Sequence, residues 1–185
     1  MDFQAIVDLV GDKLREVFNT PDLSITWYDA QTNLIQYLYF YEHGQRMDIT
    51  PRTPSESGIF ARAVQTKKPV VWNTQAEGNM IGQVIPGTDD SKAGVALPII
   101  SGDRVLGLIQ LENYERENAY GESELRLLTT IAASLGTALE NARLFDETQR
   151  LFKAEQERVA ELAVINSIQE GVAASLDFQT IIRCV

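Results

Sequence analysis

Residues 94–112, Gly94-Val95-Ala96-Leu97-Pro98-Ile99-Ile100-Ser101-Gly102-Asp103-Arg104-Val105-Leu106-Gly107-Leu108-Ile109-Gln110-Leu111-Glu112, decide the fold. Gly94 to Ile100 and Val105 to Glu112 are apolar runs of strand length, and Ser101-Gly102-Asp103 between them carries the glycine that a tight turn favours. The stretch reads as a β-hairpin. Just upstream, Asn73 to Lys92 holds Gly78, Gly82, Pro86, Gly87 and the pair Asp89-Asp90, a composition that predicts an irregular loop. A loop of that length is functional more often than idle, so it is expected to form the lid of a pocket.

Further upstream, Val70-Val71-Trp72 reads as a strand, entered through Lys67-Lys68-Pro69 from a short helix over Ile59 to Thr66. Glu42 to Ser57 is polar and carries Gly44, Pro51 and Pro54. Leu23 to Tyr28 and Leu34 to Tyr41 are β-rich runs around Asp29-Ala30-Gln31-Thr32-Asn33, which predicts a second hairpin with a longer loop. The chain opens with Phe3, Ile6, Val7, Val10, Leu14, Val17 and Phe18 at helical spacing, an amphipathic helix that Pro21 ends.

Downstream, proline is absent from Glu122 onward and helix formers dominate through Glu170, which predicts one helix of roughly 45 residues, ~70 Å long. Leu128, Ile131, Leu135, Ala138, Ala142 and Phe145 recur at three- and four-residue steps, a seam suited to pairing with a second helix. Phe152, Val159, Leu162, Ile165 and Val172 continue an apolar stripe after a change of phase, as in a linker helix with a stutter. The competing reading is a helical hairpin broken near Glu147 to Gln149.

Length and composition bound the function. With 185 residues, 44% hydrophobic and 23% charged, the chain has the balance of a globular protein, holding one ordinary domain plus something or two very small ones. Its 16 Lys and Arg against 26 Asp and Glu give a net charge of -10, which repels nucleic-acid phosphates and anionic lipid headgroups. A single cysteine, Cys184, and a single histidine, His43, argue against structural zinc, disulfide frameworks and Cys/His nucleophile pairs. Without a signal-peptide layout or an apolar run of membrane-spanning length, the fragment is read as cytoplasmic.

Asp2-Phe3-Gln4-Ala5-Ile6-Val7 is echoed by Asp177-Phe178-Gln179-Thr180-Ile181-Ile182, each copy reaching a valine, Val10 and Val185. The expected organisation is one full module over 1–146, a linker helix over 147–174 and the cut-off start of a second module over 175–185. On that reading the chain is a fragment of a longer protein, with Met1 an artificial start.

The order of elements, together with Ser57-Gly58-Ile59-Phe60-Ala61-Arg62-Ala63-Val64 through Lys68-Pro69-Val70-Val71, Val95-Ala96-Leu97-Pro98-Ile99, and Val105 to Asn113, resembles the GAF domain family. Leu125-Arg126-Leu127-Leu128 and Ala138-Leu139-Glu140-Asn141-Ala142-Arg143-Leu144 extend the resemblance to about residue 146. It implies an α+β fold, an antiparallel sheet of about six strands flanked by helices, acting as a small-molecule sensor of a signalling protein. It also implies tandem modules joined by a long helix that pairs as a parallel homodimer, with further GAF-like and output domains beyond residue 185. Glu140, Asn141 and Arg143 match a family habit on the exit helix, with a structural role.

Departures from the family pattern narrow the ligand. Asn113-Tyr114 followed by Ala119-Tyr120-Gly121-Glu122 stands in place of the cyclic-nucleotide signature, and no cysteine lies in the module to attach a bilin or serve a methionine sulfoxide reductase. No bilin, haem or zinc is expected, and the ligand is an unidentified small molecule. In the family fold Trp27, Tyr37, Tyr39, Phe60, Trp72, Met80 and Leu97 become pocket-lining candidates, with Ser57 beside a helix N-terminus that suits an anion. The bland alternatives are that Ser57 caps that helix and that the aromatics fill the core. His43, in the turn Glu42-His43-Gly44, is a solvated loop residue or a haem or metal ligand lacking a companion at metal spacing. Asp89 and Asp90 are a hydrated pair or a cation site. Two functions follow, a ligand sensor signalling through a dimeric helix or a ligand-free dimerisation module, with an enzyme the remotest class.

Overall fold

The computed structural model describes residues 3–82 and 85–183, with side chains through residue 172. Asp2, Cys184 and Val185, and the side chains of the repeat's second copy, therefore lie outside the described residues. The element order is α1 (Phe3–Phe18), β1 (Leu23–Asp29), β2 (Leu34–Glu42), β3 (Gln45–Arg46), α2 (Ile59–Thr66), β4 (Val70–Trp72), α3 (Gln75–Ile81), β5 (Ala93–Ser101), β6 (Arg104–Asn113) and α4 (Glu122–Arg183). The sheet runs β3-β2-β1-β6-β5-β4, every neighbour antiparallel. The predicted β5–β6 hairpin lies within it, closed by Gly102 at φ 56, a left-handed conformation that glycine adopts without steric cost.

Strand alternation gives the sheet two differently used faces. One is packed solid: Leu23, Ile25, Tyr39, Val95, Leu97, Ile99, Ile109 and Leu111 meet Val7 and Leu14 of α1 and Leu128, Ala132 and Leu139 of α4. The other carries a smaller cluster, Ile35, Phe60, Ala63, Trp72, Ala96, Val105 and Leu108, under α2.

Two segments differ from what their sequence predicts. Asn73 to Lys92 is not irregular throughout, because α3 lies in it. Thr74 Oγ1 accepts the Glu77 backbone N–H at 3.2 Å, and a Glu77 carboxylate oxygen accepts the Asn73 N–H at 2.6 Å. This reciprocal capping fixes a helix start that the flanking glycines obscured. The proposed seam is also divided. Leu128 is 1% exposed, and Leu128, Ile131 and Leu135 face the domain's own core, so they are not free for a partner. Ala138 and Phe145 are exposed and Ala142 is half-buried.

α4 is continuous through Glu147 to Gln149, so no helical hairpin forms there. The chain divides into two units, Met1–Arg143 and Leu144–Val185. In the second unit Phe152, Val159, Leu162, Ile165 and Val172 are all exposed. Among the described residues no helix is long and apolar enough to cross a membrane.

Candidate functional site

The less filled face of the sheet holds a cavity of about 120 Å³. Its floor is Ser24 and Thr26 of β1, Ile35, Tyr37 and Phe40 of β2, and Leu108, Gln110 and Glu112 of β6. Phe60 of α2, Trp72 of β4, Gly78 and Asn79 of α3, and Thr88 to Ser91 form its walls, and Arg52 to Ser55 close another side.

Of the eight sequence candidates, Tyr37, Phe60 and Trp72 line this cavity. Trp27, Tyr39 and Leu97 instead belong to the packed core on the opposite face. Tyr37 and Tyr39 are two residues apart and would share a face in a regular strand. A β-bulge separates them: Ile25 pairs with Tyr39 but Thr26 pairs with Tyr37, so Leu38 is the extra residue and the alternation reverses. Tyr39 then packs under α1, its hydroxyl donating to Asp12 Oδ1 at 2.7 Å. Ser57 is exposed and does not cap α2, whose N-cap is Gly58 with no side-chain cap. Met80 is 79% exposed on α3 and lines nothing.

The polar end of the cavity was missed by the sequence reading. Trp72 Nε1–H donates to Ser91 Oγ at 3.1 Å, and Ser91 Oγ–H donates to Glu112 Oε1 at 3.1 Å. The Tyr114 hydroxyl approaches Glu112 Oε2 at 3.4 Å. Burial pushes the Glu112 carboxyl up to about 7, with the nearby Glu42 and Asp22 charges adding to the rise. Desolvation likewise raises Asp22 and, strongly, the Tyr114 phenol. Arg52 supplies a cation at the other side, its guanidinium 5.9 Å from the Tyr37 ring centre. The cavity thus offers aromatic walls, a titratable acid and a guanidinium, which can hold a small ligand carrying hydrogen-bond donors. The signal for Glu112 was present in the strand period: Leu108, Gln110 and Glu112 share a face, so polarity rises stepwise along an otherwise apolar strand.

Beside the cavity, Asp89 N–H donates to Glu42 Oε1 at 2.8 Å, and the His43 ring meets Asp89 Oδ2 at 3.0 Å. That hydrogen bond raises the His43 pKa. His43 is therefore not a lone loop residue.

The chain belongs to the GAF domain family, whose model matches residues 1–140. Several solved structures share the fold at low identity. The GAF domain of an Acinetobacter phosphoenolpyruvate-protein phosphotransferase is 12% identical with a TM-score of 0.61, covering 78% of this chain and 86% of that one. A free methionine-R-sulfoxide reductase from Neisseria meningitidis, solved with its substrate, is 19% identical with a TM-score of 0.64, covering 77% and 81%. The blue-light absorbing form of the Thermosynechococcus elongatus PixJ GAF domain is 15% identical with a TM-score of 0.59, covering 80% and 90%. No curated protein matches the chain significantly.

Proposed function

We propose that this GAF domain binds a small molecule in the cavity above Thr26 and Glu112 and acts as a sensor, not an enzyme, passing its liganded state to α4. The carrying observation is the asymmetry of the sheet. One face is closed by apolar packing, while the other keeps open space lined by Tyr37, Trp72, Arg52 and Glu112. The Neisseria relative is solved with its substrate, which supports the fold as a small-molecule container. Ligand contacts on Gln110 and Glu112 press on the strand whose alternate residues, Ile109 and Leu111, share a core with Leu128 and Leu139 of α4. Binding shifts α4 only as far as the ligand prefers one packing over the other.

Native mass spectrometry of the purified chain, before and after denaturation, tests the reading. Extra mass released on denaturation, and lost in Tyr37→Ala and Glu112→Gln, is the expected result. An unliganded chain that no amino acid, nucleobase or carboxylic acid stabilises thermally refutes it.

A second reading rests on the exposed stripe of the second unit: Phe152, 61% exposed, and Val159, 58%, carry apolar surface that a partner helix would cover. Homodimerisation through this stripe accounts for it within a larger cytoplasmic signalling protein. Phe152→Glu with Val159→Glu should then give a monomer by light scattering, and an undiminished dimer excludes the stripe.

A further inference from the structure

We propose that Glu42, His43 and Asp89 form a binding site for a divalent transition-metal ion, beside the cavity whose wall Asp89 also lines. A carboxylate oxygen of Glu42, a ring nitrogen of His43 and a carboxylate oxygen of Asp89 lie within 4.8 Å of one another. Two of the spacings are close to those around a shared ion. His43 Nε2 is 3.0 Å from Asp89 Oδ2 and 3.8 Å from Glu42 Oε1. Ligand atoms placed tetrahedrally at the ~2.0–2.2 Å bonds typical of zinc sit about 3.3–3.6 Å apart, between those two values.

Glu42 supplies an independent reason. Its side chain is 5% exposed, and Oε2 is fully buried without a hydrogen-bond partner. Oε1 already accepts the Asp89 N–H, so a cation removes the cost of the unsatisfied Oε2 only where both oxygens of Glu42 hold it. Among the described residues no Lys or Arg forms an ion pair with Glu42 or Asp89. Two carboxylates and a neutral imidazole carry the charge of -2 that a divalent ion neutralises, and one nitrogen with two oxygens suits zinc better than calcium or magnesium.

The supporting shell holds the imidazole in place. Asp22 Oδ1 accepts the His43 backbone N–H at 2.6 Å, the Tyr114 ring lies against the imidazole at 4.7 Å, and His43 sits in a left-handed turn at φ 50. An ion there ties the end of β2 to the segment over Thr88 to Ser91 that walls the cavity. Sequence spacing hid the site, because the imidazole and its aspartate partner are 46 residues apart.

The test is isothermal calorimetry with zinc chloride on EDTA-stripped protein at neutral pH, in a Cys184→Ser background so that no thiol competes. One saturable ion per chain is expected, weakened about tenfold or more by His43→Asn and by Asp89→Asn. Asparagine tolerates the left-handed backbone and residue 89 is exposed, so both variants should fold, which circular dichroism verifies. Glu42→Gln should abolish uptake while raising the melting temperature of the metal-free chain. No saturable uptake, or uptake equal in the wild type and His43→Asn, overturns the site and leaves only diffuse attraction of zinc to an acidic surface.

Discussion

Replacing Glu112 with Gln should stabilise the metal-free domain at alkaline pH and leave it unchanged in acid. The fold lifts this carboxyl from 4.5 to about 7, chiefly by desolvation at the polar end of the cavity. Between those values the folded chain holds a proton that the unfolded chain has released. The neutral acid's contribution is therefore complete below about 4.5 and is lost as pH rises through about 7. Each pH unit of separation is worth about 1.4 kcal/mol, so ionised Glu112 costs the fold up to about 3 kcal/mol. The residue keeps partial exposure to cavity solvent, which makes that figure an upper bound. Glutamine imitates the protonated acid: its carbonyl still accepts from Ser91, and its amide faces the Tyr114 oxygen. At pH 8 the variant should melt up to roughly 10 °C higher, given ~2–4 °C per kcal/mol for a chain of this size, and at pH 4.5 the two should coincide. Thermal and urea unfolding followed by circular dichroism at pH 4.5, 6 and 8, with EDTA present, reads both limits. A variant no more stable at pH 8, or a difference that does not change with pH, refutes the burial argument.

Four further substitutions probe the frame. Gly107→Ala drives a methyl group into the Thr26 backbone carbonyl across the β1–β6 pair, and backbone cannot rotate aside, so soluble expression or urea stability should fall by about 3 kcal/mol or more. Leu139→Ala empties a fully buried site of the packed face and should cost about 2–5 kcal/mol in urea unfolding, whereas Phe152→Ala, 61% exposed, should change unfolding by less than about 0.5 kcal/mol. Thr74→Ala removes the N-cap of α3 and should cost about 1 kcal/mol, with faster amide exchange at Glu77 and Gly78, and unchanged exchange there would deny the cap its role.

Local chemistry made most of the fold legible in the sequence. α1 and α2 end where apolar periodicity, Pro21 and Lys67 end them, and the β5–β6 hairpin forms around a glycine whose φ is positive. Lys67 itself takes the left-handed C-cap of α2. α3 was equally local, since Thr74-Gln75-Ala76-Glu77 is a capping pattern, but the glycines around it suggested a loop.

What a residue faces was settled elsewhere. Helical spacing marks Leu128, Ile131 and Leu135 as one stripe, yet the same stripe serves a domain's own sheet or a second helix equally well, and only the packed sheet beneath α4 distinguishes them. Tyr37 and Tyr39 look equivalent until the bulge at Leu38, a property of how β2 pairs with β1, sends them to opposite faces. Asp89 becomes a neighbour of the adjacent Glu42 and His43 only through tertiary closure across 46 residues. Such non-local contacts leave no period along the chain, because periodicity records which side of an element is apolar and not which element will cover it.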